Sequence, residues 1–274
     1  MKPVKIDTID RYQEIVGRYG IRGCFSNDYI QREASNMINH DALFEYCGEK
    51  NAFLLVKKDG FWRVYYYIND LEEILDIDRE DMATEILFRG NMGEPAEVVH
   101  YLESCGFTRN LVRDLYELRY KDLAIERPFI LPDGVVIRKA KSIDEATFGT
   151  NLFNALFDRF SGDHISNEES LRLLENKQLY VALLDGSLAG ALHVSQGTSN
   201  LFWMDHLAVT QEARGKHIAT GLFLQYIEDV VQNDSTRYSL WTQRQNLAAT
   251  NLYTRMGFKY VGKSTLSMIK QSVK

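Results

Sequence analysis

The pattern of apolar and polar positions divides the first half of the chain into helical and β-rich runs. Helical spacing of apolar residues predicts helices over residues 6–20, 27–47 and 94–107. Runs rich in β-branched and aromatic residues predict strands over residues 52–58, 61–68, 82–88 and 111–120. The first two strands are joined by an Asp-Gly pair, which is typical of a two-residue hairpin turn.

The second half repeats this order of elements. It predicts a strand, two helices, an Asp-Gly hairpin, a third strand, a helix, a strand, a helix and a final strand, over residues 135–140, 142–160, 166–177, 180–197, 201–209, 219–232, 238–243, 247–256 and 258–270. Since both halves share helix, helix, hairpin and a later strand–helix–strand, the sequence indicates an internal duplication. The expected fold class is α/β, with mixed, mostly antiparallel sheets flanked by helices.

The boundary between two domains is predicted where the pattern breaks. Residues 126–134 hold two of the four prolines and lack periodicity. The prediction is therefore a first domain over residues 1–125, a linker over 126–134 and a second domain over 135–274.

Composition narrows the functional classes. The 274 residues contain 32 basic and 38 acidic side chains, a formal charge of −6, which argues against broad binding to nucleic acid or to a membrane surface. The N-terminal residues lack the apolar core of a signal peptide. The three cysteines have no metal-like spacing, so no metal site is expected, and the cytoplasm is the expected compartment.

One turn stands out as a candidate anion site. After the strand ending at Val209, the chain reads TQEARGKHIATG, and an amphipathic helix begins near Lys216 or His217. The first amides of a helix lack intrahelical partners and carry partial positive charge, to which Arg214 and Lys216 add full charges. A solvated basic turn explains the composition equally well. Neither a Walker A nor a dinucleotide GxGxxG pattern is present.

Two motifs resemble the GNAT superfamily of N-acetyltransferases, over roughly residues 135–274. The family's pyrophosphate loop, Gln/Arg-x-x-Gly-x-Gly/Ala after a strand ending in Leu-x-Val, is matched from Leu207 to Ala219, although His217 stands where the family usually has glycine. The second motif, Asn-x-x-Ala-x-x-Leu-Tyr-x-x-x-Gly-Phe, is matched with every spacing kept from Asn246 to Phe258.

The resemblance implies acetyl-CoA as the cofactor and assigns residues to it. In the family the loop amides hold the pyrophosphate, and the preceding strand splays from its neighbour to bind pantetheine. The implied cofactor residues are Leu207, Ala208, Val209, Arg214, Gly215, Lys216, His217, Ile218, Ala219, Thr220, Asn246 and Tyr253. We expect the cradle to survive at His217, because its amide is retained and histidine tolerates positive φ better than most residues.

The implied reaction is transfer of an acetyl group from the thioester to a primary amine within a ternary complex. Tyr253 matches the family tyrosine that faces the sulfur and is the expected general acid. Asp205, four residues before Val209, is a candidate base, with a structural role held equally open. His206 is expected on the opposite face of the strand, as a half-buried structural histidine.

The acceptor pocket is less sharply indicated. Trp203 shares the expected face of Asp205, and the loop after the first helix of this half offers Phe160, Asp163 and His164, for which a plain surface loop is the competing interpretation.

The first half is expected to be a degenerate GNAT-like copy. Tyr101 and Gly106-Phe107 echo Tyr253 and the Gly-Phe pair that follows it. Between the hairpin and this helix, however, lies an acidic segment, LEEILDIDRED, which would repel a diphosphate.

The leading hypothesis is an acetyl-CoA-dependent N-acetyltransferase. An alternative from another class is a non-catalytic acyl-CoA-binding sensor or interaction module, and transfer to a hydroxyl or of a longer acyl chain also stays open. The amine acceptor, a small molecule or a peptide, and the oligomeric state are not named by the sequence.

Overall fold

The structure is a computed structural model that describes residues 2–271, apart from residues 59, 78–80, 126–128 and 162–163. The helices are α1 Ile9–Tyr19, α2 Ala34–Asn39, α3 Ala96–Ser104, α4 Ile143–Leu156, α5 Asn167–Glu175, α6 Ile218–Val230 and α7 Leu247–Arg255. The strands are β1 Val4–Lys5, β2 Phe25–Ser26, β3 Leu43–Cys47, β4 Ala52–Lys58, β5 Phe61–Ile68, β6 Met82–Arg89, β7 Thr108–Arg119, β8 Val135–Lys139, β9 Leu179–Leu184, β10 Ser187–Gln196, β11 Leu201–Val209, β12 Arg237–Gln243 and β13 Lys259–Lys270.

Local sequence explains most of these elements. Ser142 and Ser166 cap α4 and α5, because each serine hydroxyl accepts the amide three residues later. The β9–β10 hairpin turns at Asp185 and Gly186 with positive φ at both residues, which is the geometry that Asp-Gly favours. The predicted Asp-Gly hairpin in the first half forms between β4 and β5, although Asp59 lies outside the described residues.

One predicted helix is wrong. Residues 27–47 contain only the short α2, and Leu43–Cys47 form strand β3, which pairs antiparallel with β4. The chain leaves α2 through Asp41, whose φ of +55° breaks the helical path. After that break Leu43 and Tyr46 are buried through the sheet, so tertiary pairing overrides the helical spacing.

The described chain forms two compact units. Unit 1 comprises residues 1–112 and 263–274, and unit 2 comprises residues 113–262. In unit 1, a mixed sheet runs β1-β3-β4-β5-β6-β13, with β2 paired to β5. In unit 2, a mixed sheet runs β7-β12-β11-β10-β9-β8. Each sheet is mostly antiparallel, with one parallel pair, β5–β6 in unit 1 and β11–β12 in unit 2.

The limits of the units differ from the domain limits expected from the sequence. Residues 113–119 of β7 pair in register with β12, and residues 263–270 of β13 pair with β6. Each sheet is therefore completed by a strand that follows the last helix of the other repeat. The expected linker, 126–134, falls within unit 2, and residues 126–128 of it lie outside the described residues.

Each unit has its own buried core. In unit 2, α6 packs its apolar face on the sheet through Leu222, Phe223, Tyr226 and Ile227, which are all buried. Burial of apolar surface stabilises the folded state by about 25 cal/mol per Å², and aromatic side chains such as Phe223 and Tyr226 bury large areas. The core therefore fixes α6, and with it the turn at its N-terminus, against β11.

Candidate functional site

A cleft opens in unit 2 where two parallel strands separate. The ladder between β11 and β12 covers only three residue pairs, from Leu201–Arg237 to Trp203–Ser239. Beyond this point β11 pairs with β10 through residues 204 and 206–209 and not with β12. The separation exposes backbone groups of β11 and makes room for a ligand between the strands.

The anion-binding turn lies at the end of β11. After a short 3-10 turn at residues 211–213, Gly215 takes φ +77° and His217 takes φ +56°, and α6 begins at Ile218. Both residues therefore adopt the left-handed backbone conformation that the sequence analysis expected them to tolerate. With the chain turned in this way, the first amides of α6 point out of the helix, where the helix dipole favours an anion.

A groove of about 590 Å³ runs from this turn along β11 to α7. Its lining comprises Leu156, Phe157, Leu207, Ala208, Val209, Ala213, Arg214, Gly215, His217, Ile218, Ala219, Thr220, Asn246, Ala248, Ala249, Leu252 and Tyr253. We call this the cofactor groove. Of the residues predicted to bind the cofactor, Lys216 differs, because its side chain is exposed and does not line the groove.

His217 leaves the groove open. Its ring lies edge-on to Phe129, with the ring centroids 6.4 Å apart, and its carbonyl accepts the amide of Gly221 in the first turn of α6. Its backbone thus adopts the positive φ that a glycine would adopt at this position, while the imidazole adds a polar group to the groove wall.

Helix α7 places Asn246 and Tyr253 at the inner end of the groove. The Asn246 side chain caps the helix by accepting the amide of Ala249. Tyr253 is 9% exposed, and burial raises the pKa of its hydroxyl to about 12. At neutral pH this hydroxyl therefore keeps its proton.

A second cavity, of about 430 Å³, begins where the groove ends, and we call it the acceptor cavity. The two spaces share six wall residues, namely Leu156, Phe157, Leu207, Asn246, Ala249 and Tyr253. The rest of its wall comprises Arg113, Asp158, Ser161, His193, Trp203, Met204, Asp205, His206, Trp241, Thr242 and Gln243. Tyr253 is thus placed at the junction of the two spaces.

The chemistry of the acceptor cavity is aromatic and acidic. Two indoles and the rings of Phe157 and Tyr253 surround two carboxylates, Asp158 and Asp205, with one guanidinium, Arg113. Carboxylates and aromatic faces are the groups that attract an alkylammonium ion.

Of the predicted pocket residues, Trp203 and Asp205 line the cavity. Phe160, which is buried beside Arg159, and His164, which is exposed, do not belong to its wall. Asp163 lies outside the described residues.

A histidine pair adjoins Asp205. The Nδ1 atoms of His193 and His206 are 3.0 Å apart, and Nε2 of His193 is 3.7 Å from the Asp205 carboxylate. The β10–β11 register shifts between His193 and Val194, so Asp205 is the extra residue of a β-bulge. His206 is buried and Asp205 is exposed, as the alternation of side chains along a strand predicts. His193 nevertheless lies close to both of them.

His193 was missed by the sequence analysis. Counting outward from the turn of the β10–β11 hairpin, which the register next to the turn centres at residue 199, would have placed His193 opposite Asp205, its neighbour in the cavity wall. Burial and the neighbouring His206 imidazole lower the pKa of His193 to about 3.

In unit 1 the parallel strands β5 and β6 separate in the same way, but the Asn27 side chain lies between them. The β5–β6 ladder ends at Val64–Thr84, and beyond it Asn27 bridges the strands by accepting the amide of Tyr66 and donating to the carbonyl of Glu85. The hydroxyl of Tyr101, the counterpart of Tyr253, donates to the backbone carbonyl of Glu73. In the described part of the segment between β5 and β6, residues 69–77 and 81, there is no helix to match α6.

The described residues contain neither a helix suited to cross a membrane nor a cluster of side chains suited to hold a metal ion. In that part of the chain, none of the helices combines the length and apolarity needed to cross a membrane. Within the same residues, His, Cys, Asp and Glu side chains form no group of three or more that could hold a metal ion.

Comparison with known proteins identifies the family of this site. Residues 149–258 match the model of the acetyltransferase (GNAT) family. The chain is 25% identical over 127 residues to streptothricin acetyltransferase of Escherichia coli, a match that spans 46% of this chain and 71% of that protein. It is 31% identical over 110 residues to the probable N-acetyltransferase camello of Xenopus tropicalis, spanning 39% of this chain and half of that protein's length.

The fold of the whole chain is also found among solved structures. A tandem GNAT protein from the clavulanic acid biosynthesis pathway covers 100% of this chain, and the chain covers 99% of it, with a TM-score of 0.63 and 14% identity. At this identity the likeness concerns the fold alone. The family match spans the cofactor groove from α4 to α7, so residues 149–258 match an acetyltransferase domain of the GNAT family.

Proposed function

We propose that this protein is an N-acetyltransferase of tandem GNAT architecture that transfers the acetyl group of acetyl-CoA to a primary amine. The observation that carries the proposal is the continuity of two spaces, the cofactor groove and the acceptor cavity, with Tyr253 at their junction. In a ternary complex the thioester carbon would lie beside this tyrosine and face the acceptor amine.

In this proposal the wall of the groove binds the cofactor. The first amides of α6 and the Arg214 side chain bind the diphosphate, and the separated backbone of Leu207–Val209 binds the pantetheine chain. Backbone N–H groups of β11 beyond its ladder with β12 are the candidates for holding the oxyanion of the tetrahedral adduct.

The chemical step needs a proton acceptor and a proton donor. An alkylamine with a pKa near ~10.4 is mostly protonated at neutral pH, which costs about 4–5 kcal/mol to reverse. In our proposal the ammonium ion first loses one proton to solvent, and Asp205 accepts the second, directly or through one water, as nitrogen attacks the carbonyl carbon. The C–S bond then breaks, and the Tyr253 hydroxyl donates to the departing thiolate.

The acceptor is a cationic amine in this proposal. The cavity brings two carboxylates, Asp158 and Asp205, together with aromatic side chains, and these groups bind an ammonium ion before the reaction. The acceptor panel should therefore include polyamines, lysine-containing peptides and, because of the named relative, streptothricin.

Calorimetric titration with acetyl-CoA, followed by an acetylation assay with this panel, tests the proposal. We expect one binding site per chain, since Asn27 fills the equivalent space in unit 1, and turnover of at least one amine. Two sites would refute the assignment of unit 1. Binding without turnover across the panel would favour the sensor over the enzyme, and no binding would contradict the cofactor groove.

A further inference from the structure

The contact between the two histidines has one consequence for their protons. At an Nδ1–Nδ1 distance of 3.0 Å, one imidazole donates and the other accepts, so the two rings hold complementary tautomers. The ring planes are stacked within 10°, and the rings of Phe153 and Phe157 contact His206 at centroid distances of 5.2 Å. This packing restrains the pair in one orientation.

Asp205 selects one of the two arrangements. Its carboxylate lies 3.7 Å from Nε2 of His193, where a proton on Nε2 is attracted and a lone pair is repelled. With the proton on Nε2, His193 has a bare Nδ1 and accepts from Nδ1–H of His206. The 3.7 Å separation is longer than a hydrogen bond, as catalytic contacts commonly are until substrate is bound.

We propose that His193 is a positioning residue that holds the Asp205 carboxylate toward the acceptor amine, and that His206 fixes the Nε2–H tautomer of His193 that does so. The inference rests on the proposed function and adds to it the origin of the carboxylate's orientation. The depressed pKa of His193 agrees with this role, because a neutral donor orients Asp205 without cancelling the charge that attracts the ammonium ion.

The proton balance is simple. Two N–H bonds of the bound ammonium ion break: the first proton leaves to solvent and frees the electron pair that attacks, and the second forms an O–H bond on Asp205 as the C–N bond forms. The C–S bond breaks and its thiolate takes the Tyr253 proton, which Tyr253 regains from solvent, while both histidines keep their own protons. The acceptor then carries the acetyl group as an amide, and Asp205 returns its proton to solvent through the cavity.

Charged and titratable groups of several elements share the wall of the acceptor cavity with Asp205. Arg113 of β7 and Asp158, which follows α4, share the cavity wall, and Tyr253 of α7 lies at its inner end. Burial and, after it, the Asp205 charge raise the pKa of Tyr226 in α6. Phe153 of α4 and Phe157, which follows that helix, contribute the rings that contact His206, and β12 contributes only uncharged side chains to the wall.

Variants at position 193 separate positioning from packing. His193→Gln keeps an N–H near the position of Nε2, whereas His193→Leu keeps bulk and removes the donor. We expect His193→Leu to lower kcat by about 10- to 100-fold with the KM for acetyl-CoA unchanged, and to move the acid limb of the pH profile upward, because the carboxylate loses a donor. His193→Gln should recover most of the activity, and His100→Gln, an exposed change on α3, should have no effect.

A double-mutant cycle with Asp205→Asn decides whether His193 acts through Asp205. If it does, His193→Leu adds less than about threefold to the loss caused by Asp205→Asn. The same fold-loss with either residue at position 205 would overturn the proposal, and so would full activity of His193→Leu with an unchanged pH profile. Thermal unfolding of each variant shows whether a loss reflects misfolding.

Nitrogen NMR of histidine-labelled protein tests the tautomer without requiring turnover. The six histidines are assigned by comparison with the His193 variants. A neutral His193 protonated on Nε2 at pH 7 supports the proposal, and a proton on Nδ1 overturns it. If the wild-type protein gives the expected spectrum but acetylates no amine, the proposed function fails on its own and the structural role of His193 stands.

Discussion

Tyr253→Phe tests the junction of the two cavities most directly. The substitution removes one oxygen from a side chain that is 9% exposed, and it keeps the ring that packs 5.7 Å from Phe258. Positioned proton donors contribute about 10²- to 10⁴-fold to rate. We therefore expect kcat to fall by that factor, which corresponds to ~3–5 kcal/mol of activation free energy, with the dissociation constant of acetyl-CoA little changed.

The pH dependence of this loss follows from the pKa of Tyr253. A pKa raised to about 12 means that the hydroxyl stays protonated as pH rises past 10 and is lost only near 12. The ratio of wild-type to variant kcat should therefore be constant between about pH 7 and pH 10. A tyrosine with an ordinary pKa would instead lose its advantage toward pH 10.

Tyr101→Phe is the matched control. Tyr101 is 1% exposed, donates to the carbonyl of Glu73 at 3.0 Å and accepts from Asn51 at 3.1 Å. Its removal should lower the free energy of unfolding by about 1–2 kcal/mol and leave kcat unchanged. Steady-state kinetics measures kcat of both variants, and thermal unfolding measures their stability. Wild-type kcat in Tyr253→Phe, or an equal loss of kcat in Tyr101→Phe without destabilisation, would refute the reasoning.

Three further predictions concern the turn and the division into units. Arg214→Ala should weaken acetyl-CoA binding by about tenfold or more, and Lys216→Ala by less than about threefold, because Arg214 lines the groove and Lys216 does not. Equal losses of affinity in the two variants, measured by calorimetry, would contradict this. His217→Gly should raise the free energy of unfolding by about 1 kcal/mol, since glycine takes φ +56° without strain, and a lower melting temperature would count against it. A fragment of residues 113–262 should be better folded by circular dichroism than residues 135–274, which lack the strand paired to β12; the reverse order would be inconsistent with the exchanged strands.

The sequence determined the elements that local chemistry controls. The Asp-Gly turn at 185–186, the serine caps of α4 and α5 and the helix after Gly215 all depend on residues within a few positions of one another. The spacing of the family motif from Asn246 to Phe258 likewise lies on one helix and its end, so the position of Tyr253 could be predicted.

Only the tertiary structure decided which strands complete each sheet and which side chains meet in the acceptor cavity. A strand carries the same local signal whichever edge it joins, so nothing in residues 108–119 or 259–270 revealed that the two repeats exchange their last strands. His193 pairs with His206 because a bulge at Asp205 shifts the β10–β11 register by one residue, and Asp158 joins the cavity wall from another element. Such contacts depend on pairing between distant segments, which periodicity along the chain does not encode.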